Sequence, residues 1–294
     1  MEIIIEIGTE EQKELIEKEL EIIKTLSERF NPSPPLLCII VPKDFDKKVN
    51  EIRGTNSYNS IREHHQAQAK IIETPKGIFL IISNLLYTEI HDNFTRLQLY
   101  LHEFMHVLNK ERFVRLEEKS PSKSRYLENL YILFDEYYAN RKAFDIIDSL
   151  SLQASPKYKR SNRTHLKYFI KPLINDSEHY DIIRNEIDKF RIHGLVDQFL
   201  KNTNSHFDEV SKAIVYSYSY IDHFPEFHRF KRFLLKSKFV NEKTINLINF
   251  YRKKFDGGST DLSDGIELIA GFIENFGIRF EDCTEGLYCH VINI

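Results

Sequence analysis

Two kinds of apolar patterning divide the chain. Short, nearly continuous apolar runs occur at 36–41, 71–73 and 77–83, and runs of this kind bounded by Pro, Gly or polar residues predict strands. Thr74, Pro75 and Lys76 separate the last two runs and predict a hairpin. Residues 2–7 fit either another short strand or a frayed lead-in. Elsewhere in this half the spacing is helical. Thr9 and Gln12 form a capping-box pair, after which Leu15, Ile16, Leu20, Ile23 and Phe30 keep helical period until the Pro-rich stretch 31–35 ends it. Residues 43–52 return to helix. The expected result is a sheet of three or four strands. A helix follows in which Leu97, Leu101, Phe104, Met105 and Leu108 make one apolar stripe.

The pattern then changes. Residues 110–125 are rich in Lys, Glu and Ser and predict a solvated loop, and 126–150 is helical. The polar stretch 151–163 reads as a loop and marks the expected boundary. Beyond it, helices are expected at 166–174, 180–200, 207–221, 227–235, 244–255 and 262–276, with a hairpin over 278–283 and 287–292. This order predicts an α+β fold. Its N-terminal domain, 1–155, holds a small sheet, and its C-terminal domain, 156–294, is mostly helical and ends in the hairpin.

Composition narrows the function. A formal net charge of -3 over 294 residues gives no general attraction to nucleic acid or to an anionic membrane, so neither is an expected partner. The basic and aromatic stretch 157–163 reads as a solvated linker. No apolar run approaches the roughly eighteen residues that a membrane span needs. Three scattered cysteines, Cys38, Cys283 and Cys289, suit a reducing compartment better than a disulfide framework, and the acidic start lacks a signal-peptide pattern. A cytoplasmic protein is therefore expected.

The one stretch whose residue types and spacing imply chemistry is His102-Glu103-Phe104-Met105-His106. On a helix, residues four apart lie on one face, so His102 and His106 can aim two imidazoles at one ion. Zinc accepts neutral imidazole, and a catalytic site keeps one of its four positions for water. Glu103 then flanks the site as a base for that water. A third ligand is available in the next helix, where Glu136, Ala139, Asn140 and Ala143 share a face that is small except for a carboxylate and an amide. Alanines there allow close approach, and Asn140 is placed to hydrogen-bond a ligand. Asp135 competes with Glu136 for the third position. Cys283, Cys289 and His290 form a weaker candidate for a second metal. The Tyr216, Tyr218, Tyr220, His223 and His228 stretch could hold an oxyanion donor, with no residue singled out.

H-E-x-x-H followed some thirty residues later by E-x-x-A-N resembles the ImmA/IrrE-like zinc peptidases, zincins whose third ligand is a glutamate. The resemblance covers roughly residues 76–144, including the strand before the motif helix. It implies a zincin-like N-terminal domain with 77–83 at the sheet edge beside the metal, Zn²⁺ held by His102, His106 and Glu136, and Glu103 as general base. It also implies hydrolysis of peptide bonds in a specific intracellular protein, with a transcriptional regulator as the precedent. The alternative is a non-catalytic zincin scaffold that serves as a regulatory or protein-binding module.

Overall fold

The computed structural model describes residues 1–59, 61–62, 65–66, 68–88, 92–110, 120–150, 156–284 and 286–292. The expected loop at 110–125 and the start of the expected boundary at 151–163 therefore lie partly outside the described residues. The architecture is α+β, with a small sheet near the N-terminus and a helical C-terminal region. Among the described residues, no helix is long and apolar enough to cross a membrane.

The chain divides into two compact units, Met1–Arg112 with Lys142–Ser161, and Phe113–Arg141 with Asn162–Ile294. Both are discontinuous in sequence, so neither coincides with 1–155 or 156–294. The division passes through a single long helix, whose earlier part belongs to the second unit and whose last turns belong to the first.

The first unit is built on β1 (Glu2–Ile5), β2 (Leu36–Val41), β5 (Ala69–Thr74) and β6 (Gly77–Ile82), in the order β1-β2-β6-β5. A two-stranded ribbon, β3 (Ile61–Arg62) and β4 (His65–Gln66), is separate from this sheet. β1, β2 and β6 are parallel, with Ile3 opposite Ile39 and Ile39 opposite Leu80, while β5 closes an antiparallel hairpin onto β6. Residues 2–5 are thus a strand. β6 is an inner strand with partners on both sides, so the expectation of an edge at 77–83 is corrected. Its composition explains this: Ile78, Leu80, Ile81 and Ile82 are fully buried, as a covered parallel strand requires. The antiparallel edge is β5, which carries Lys70 and Glu73 among its apolar residues, a composition that discourages further strand pairing.

Helix α1 (Glu10–Phe30) starts at the expected Thr9/Gln12 capping box. Helix α2 (Phe45–Arg53) is capped by Asp44 and ends at Gly54, which holds φ +66. Phe45 and Val49 of α2 form a core cluster with Ile72 and Ile81. After the short α3 (Leu85–Thr88), helix α4 (Asn93–Asn109) begins where the Asp92 carboxylate accepts hydrogen bonds from the Phe94 and Thr95 amides. It packs on α1 and β5, and Arg96 donates its Nε–H to Glu19 of α1 at 2.8 Å.

Helix α5 (Pro121–Ser149) begins five residues before its expected start. Pro121 sits at the first turn, where a missing amide costs nothing, and Asp282 accepts a hydrogen bond from the Ser122 amide at 2.8 Å. Helix α6 (Pro156–Ile174) extends ten residues earlier than expected. Its first turns look polar because they bury only one stripe: Tyr158, Ser161 and Asn162 are inside and the lysines and arginines are out.

The second unit continues with α7 (Ser177–His193), α8 (Val196–His223), a short 3₁₀ segment, α9 (Lys231–Leu234), α10 (Glu242–Asp256), α11 (Ile266–Glu274) and the hairpin β7 (Ile278–Cys283) and β8 (Gly286–Val291). The expected break after residue 200 falls instead at Gly194, which takes φ +65 and caps α7. The polar run Asn202-Thr203-Asn204-Ser205 stays helical because its groups find partners. Asn202 donates to Glu186 of α7 at 2.8 Å, and the Thr203 hydroxyl donates to the Phe199 carbonyl at 2.9 Å. The second half of α8 is largely buried. Ser211, Ser217 and Ser219 are fully inside, and small side chains at these positions let neighbouring helices approach closely.

Candidate metal centre

His102 and His106 occupy one face of α4. Their Nε2 atoms are 3.0 Å apart, and the rings meet nearly edge-on, with 88° between their planes. His102 is buried and His106 is half-buried. Tetrahedral zinc ligands at about 2.0–2.1 Å stand about 3.3 Å from each other, so the imidazole pair is close to the spacing that one ion imposes. Glu103, also half-buried, follows the first histidine on the same helix. The apolar stripe of Leu97, Leu101, Phe104 and Met105 is buried, which fixes the rotation of α4.

Glu136 sits on α5, on the small-residue face predicted for it: Ala139 and Ala143 are fully buried. Asn140 is buried too, and its amide donates to the Glu136 main-chain carbonyl at 3.1 Å. The last turns of α5, from Lys142 onward, belong to the same compact unit as α4. His102, His106 and Glu136 form a group in which one ligand atom from each lies within 4.8 Å of the others. Such a group could hold a metal ion. The donor set of two imidazoles and one carboxylate fits zinc with one position left for water.

The Glu136 carboxylate is held on both oxygens by one helix. Tyr216 Oη donates to Oε2 at 2.7 Å, and Lys212 Nζ lies 3.0 Å from Oε1. Lys212 and Tyr216 are four residues apart on α8, hence on one face. The Tyr216 ring packs edge-on against Phe169, with centroids 4.9 Å apart, which restricts its rotation. Of the aromatic stretch noted in the sequence, Tyr218 and Tyr220 are core residues at 2% and 1% exposure, and Tyr216 reaches Glu136. Lys212 carried no signal in the sequence. Only its spacing from Tyr216 could have suggested it, and that required knowing which face of α8 meets α5.

A buried network fixes α5 beside this carboxylate. Tyr137 Oη donates to Asp222 Oδ2 at 2.8 Å, and Arg252 of α10 clamps both oxygens of Asp222 at 2.7 Å. Burial raises the Tyr137 phenol far above its usual range, with Asp222 adding to the shift, so it stays a donor.

The other candidates do not assemble. On the terminal hairpin Cys283 faces Gly286 and Cys289 faces Phe280, and burial pushes the Cys289 thiol up to about 11. His290 Nε2 is 2.9 Å from Glu281. Among the described residues, His102, His106 and Glu136 are the one group of this kind. No protein family, curated protein or solved structure matches the chain.

Proposed function

We propose that this chain is a zinc-dependent endopeptidase acting on a specific protein, with its sheet and motif helix arranged as in a zincin. The observation that carries the reading is the convergence of His102, His106 and Glu136, with Glu103 directly following the first histidine. When bound, zinc would lower the pKa of a coordinated water to near neutrality and would polarise the scissile carbonyl. Glu103 accepts the proton of the attacking water and returns it to the leaving amine. His102 and His106 act as neutral ligands, and Glu136 contributes the negative charge of the set. Tyr216 holds the Glu136 carboxylate in orientation, as partners of metal ligands do. The resemblance to ImmA/IrrE-like peptidases supports this reading and suggests a transcriptional regulator as the substrate.

One observation favours a second reading, a metal-binding or metal-free scaffold that recognises a protein without cleaving it. The Lys212 ammonium already sits against Glu136 Oε1. In that reading the lysine serves as the counter-ion of a structural carboxylate.

Ligand assignment is tested by metal analysis of protein purified without chelator. The wild type should carry about one zinc per chain. Glu136→Ala should lose most of it, and Asp135→Ala should keep it. A wild type that takes up no transition metal when zinc is offered contradicts both the peptidase and the metal-scaffold readings.

A further inference from the structure

Helix α6 carries six basic residues and no acidic one, in a chain whose net charge is -3. In the second unit, Arg163, Lys167 and Lys171 repeat along its exposed side. The segment that packs across from it, Glu226 to Lys236, adds Arg229, Lys231, Arg232 and Lys236 against a single carboxylate. Among the described residues, none of these seven cations forms an ion pair, although many exposed lysines and arginines elsewhere have an acidic neighbour at 2.5–3.3 Å. Like charges gathered without counter-ions repel, and an anionic partner relieves that repulsion.

Within this cationic surface lies a groove of about 350 Å³. Its floor is apolar, built from Ile170 on α6 and Phe230 and Phe233 opposite, with Ile174, Lys167 and Lys171 on its rim. Ile174 is 54% exposed, so apolar surface is left open to solvent at the edge of the groove. The lining spans residues 167–175, about two turns or 12 Å of helix.

We propose that this groove docks an acidic amphipathic helix of a partner protein. One apolar side chain of the partner enters between Ile174 and Phe233, and carboxylates one turn apart on that helix meet Lys167 and Lys171, which are themselves one turn apart. The recess between Ile170, Phe230 and Phe233 favours an inserted partner side chain over a membrane surface, which is one outcome of the test below. The apolar floor decides against nucleic acid, because a base inserted there would lose hydrogen bonds at its polar edges. The groove shares no residue with the metal centre.

The test is fluorescence anisotropy of the full chain with a labelled helix-forming peptide carrying Leu at i, i+3, i+4 and i+7 and Glu elsewhere. Saturable binding is expected, weakened at least about tenfold by Lys167→Glu with Lys171→Glu, and lost when the peptide's leucines become Gln or its glutamates become Lys. The lysines are exposed, so the variant should keep the wild-type circular dichroism and melting temperature. If it does not, Lys167→Gln with Lys171→Gln is measured in its place. Three outcomes overturn the proposal: no saturable binding, binding indifferent to the two lysines, or displacement of the peptide through the same lysines by oligo-dT or by phosphatidylserine-containing vesicles.

Discussion

Tyr216 donates its phenolic hydrogen to Oε2 of Glu136, while Lys212, one turn earlier on α8, pairs with Oε1. The two contacts have opposite consequences for a cation bound by that carboxylate. The hydroxyl orients the group without neutralising it, whereas the ammonium competes for its charge. Tyr216→Phe should therefore weaken zinc binding about tenfold, within the range for partners of metal ligands. Lys212→Met should strengthen it. Competition with a chromophoric chelator measures both, and equal affinities in all three proteins would show that α8 has no hold on the ligand.

The buried network next to Glu136 predicts a difference in stability. Asp222→Ala strands the Arg252 guanidinium, now without its bidentate partner, and should cost about 3 kcal/mol. Tyr137→Phe removes two hydrogen bonds, the one donated to Asp222 and the one accepted from Arg141 Nη1 at 3.0 Å, and should cost about 1–2 kcal/mol. Urea unfolding separates the two. A Tyr137→Phe loss as large as that of Asp222→Ala would mean that the phenol, and not the ion pair, holds α5.

A pH effect follows from Glu186, whose carboxylate accepts from Lys189 Nζ at 2.5 Å and Asn202 at 2.8 Å. The Lys189 hydrogen bond, then that of Asn202, holds its pKa below the ordinary value. A depressed folded pKa means that the contribution is fully present above the unfolded value and fades as pH falls through the folded one. Glu186→Gln should cost about 1 kcal/mol near neutrality, a figure kept small because Lys189 is half-exposed. The gap between wild type and variant should close as pH falls below about 4.3, the ordinary glutamate value. Melting curves from pH 6 downward check this, and a gap that widens in acid contradicts it.

Much of the architecture was legible because local signals agreed with the tertiary result. The Thr9/Gln12 box, the Pro-rich stop at 31–35 and the apolar run at 36–41 each specify a boundary by local chemistry, and each boundary is found within a residue or so. The misread positions depend on partners distant in sequence. Asn202 and Thr203 look like a loop until α7 and the α8 backbone satisfy them. The place of 77–83 inside the sheet depends on parallel pairing with 36–41, a pairing that no turn signal announces. His102, His106 and Glu136 were legible for a related reason. Two helical spacings place them, and the alanine face tells which side of α5 points inward. Lys212 and Tyr216 reach the same carboxylate from α8 and leave no comparable mark.

In the proposed function, Glu103 works as a base beside a zinc ion that it does not bind. Glu103→Gln keeps the shape of the side chain and removes the proton acceptor, so zinc content and melting temperature should stay near wild type. Proton transfer by a positioned base is worth about 10²–10⁴ in rate, and cleavage should fall by at least that factor. The measurement is mass spectrometry of new protein N-termini in cells expressing the wild type or Glu103→Gln, alongside the zinc content of each. New termini are expected with the wild type alone, and equal zinc in both. Equal cellular function with no new termini from either form would contradict the claim and leave the binding-scaffold reading in its place.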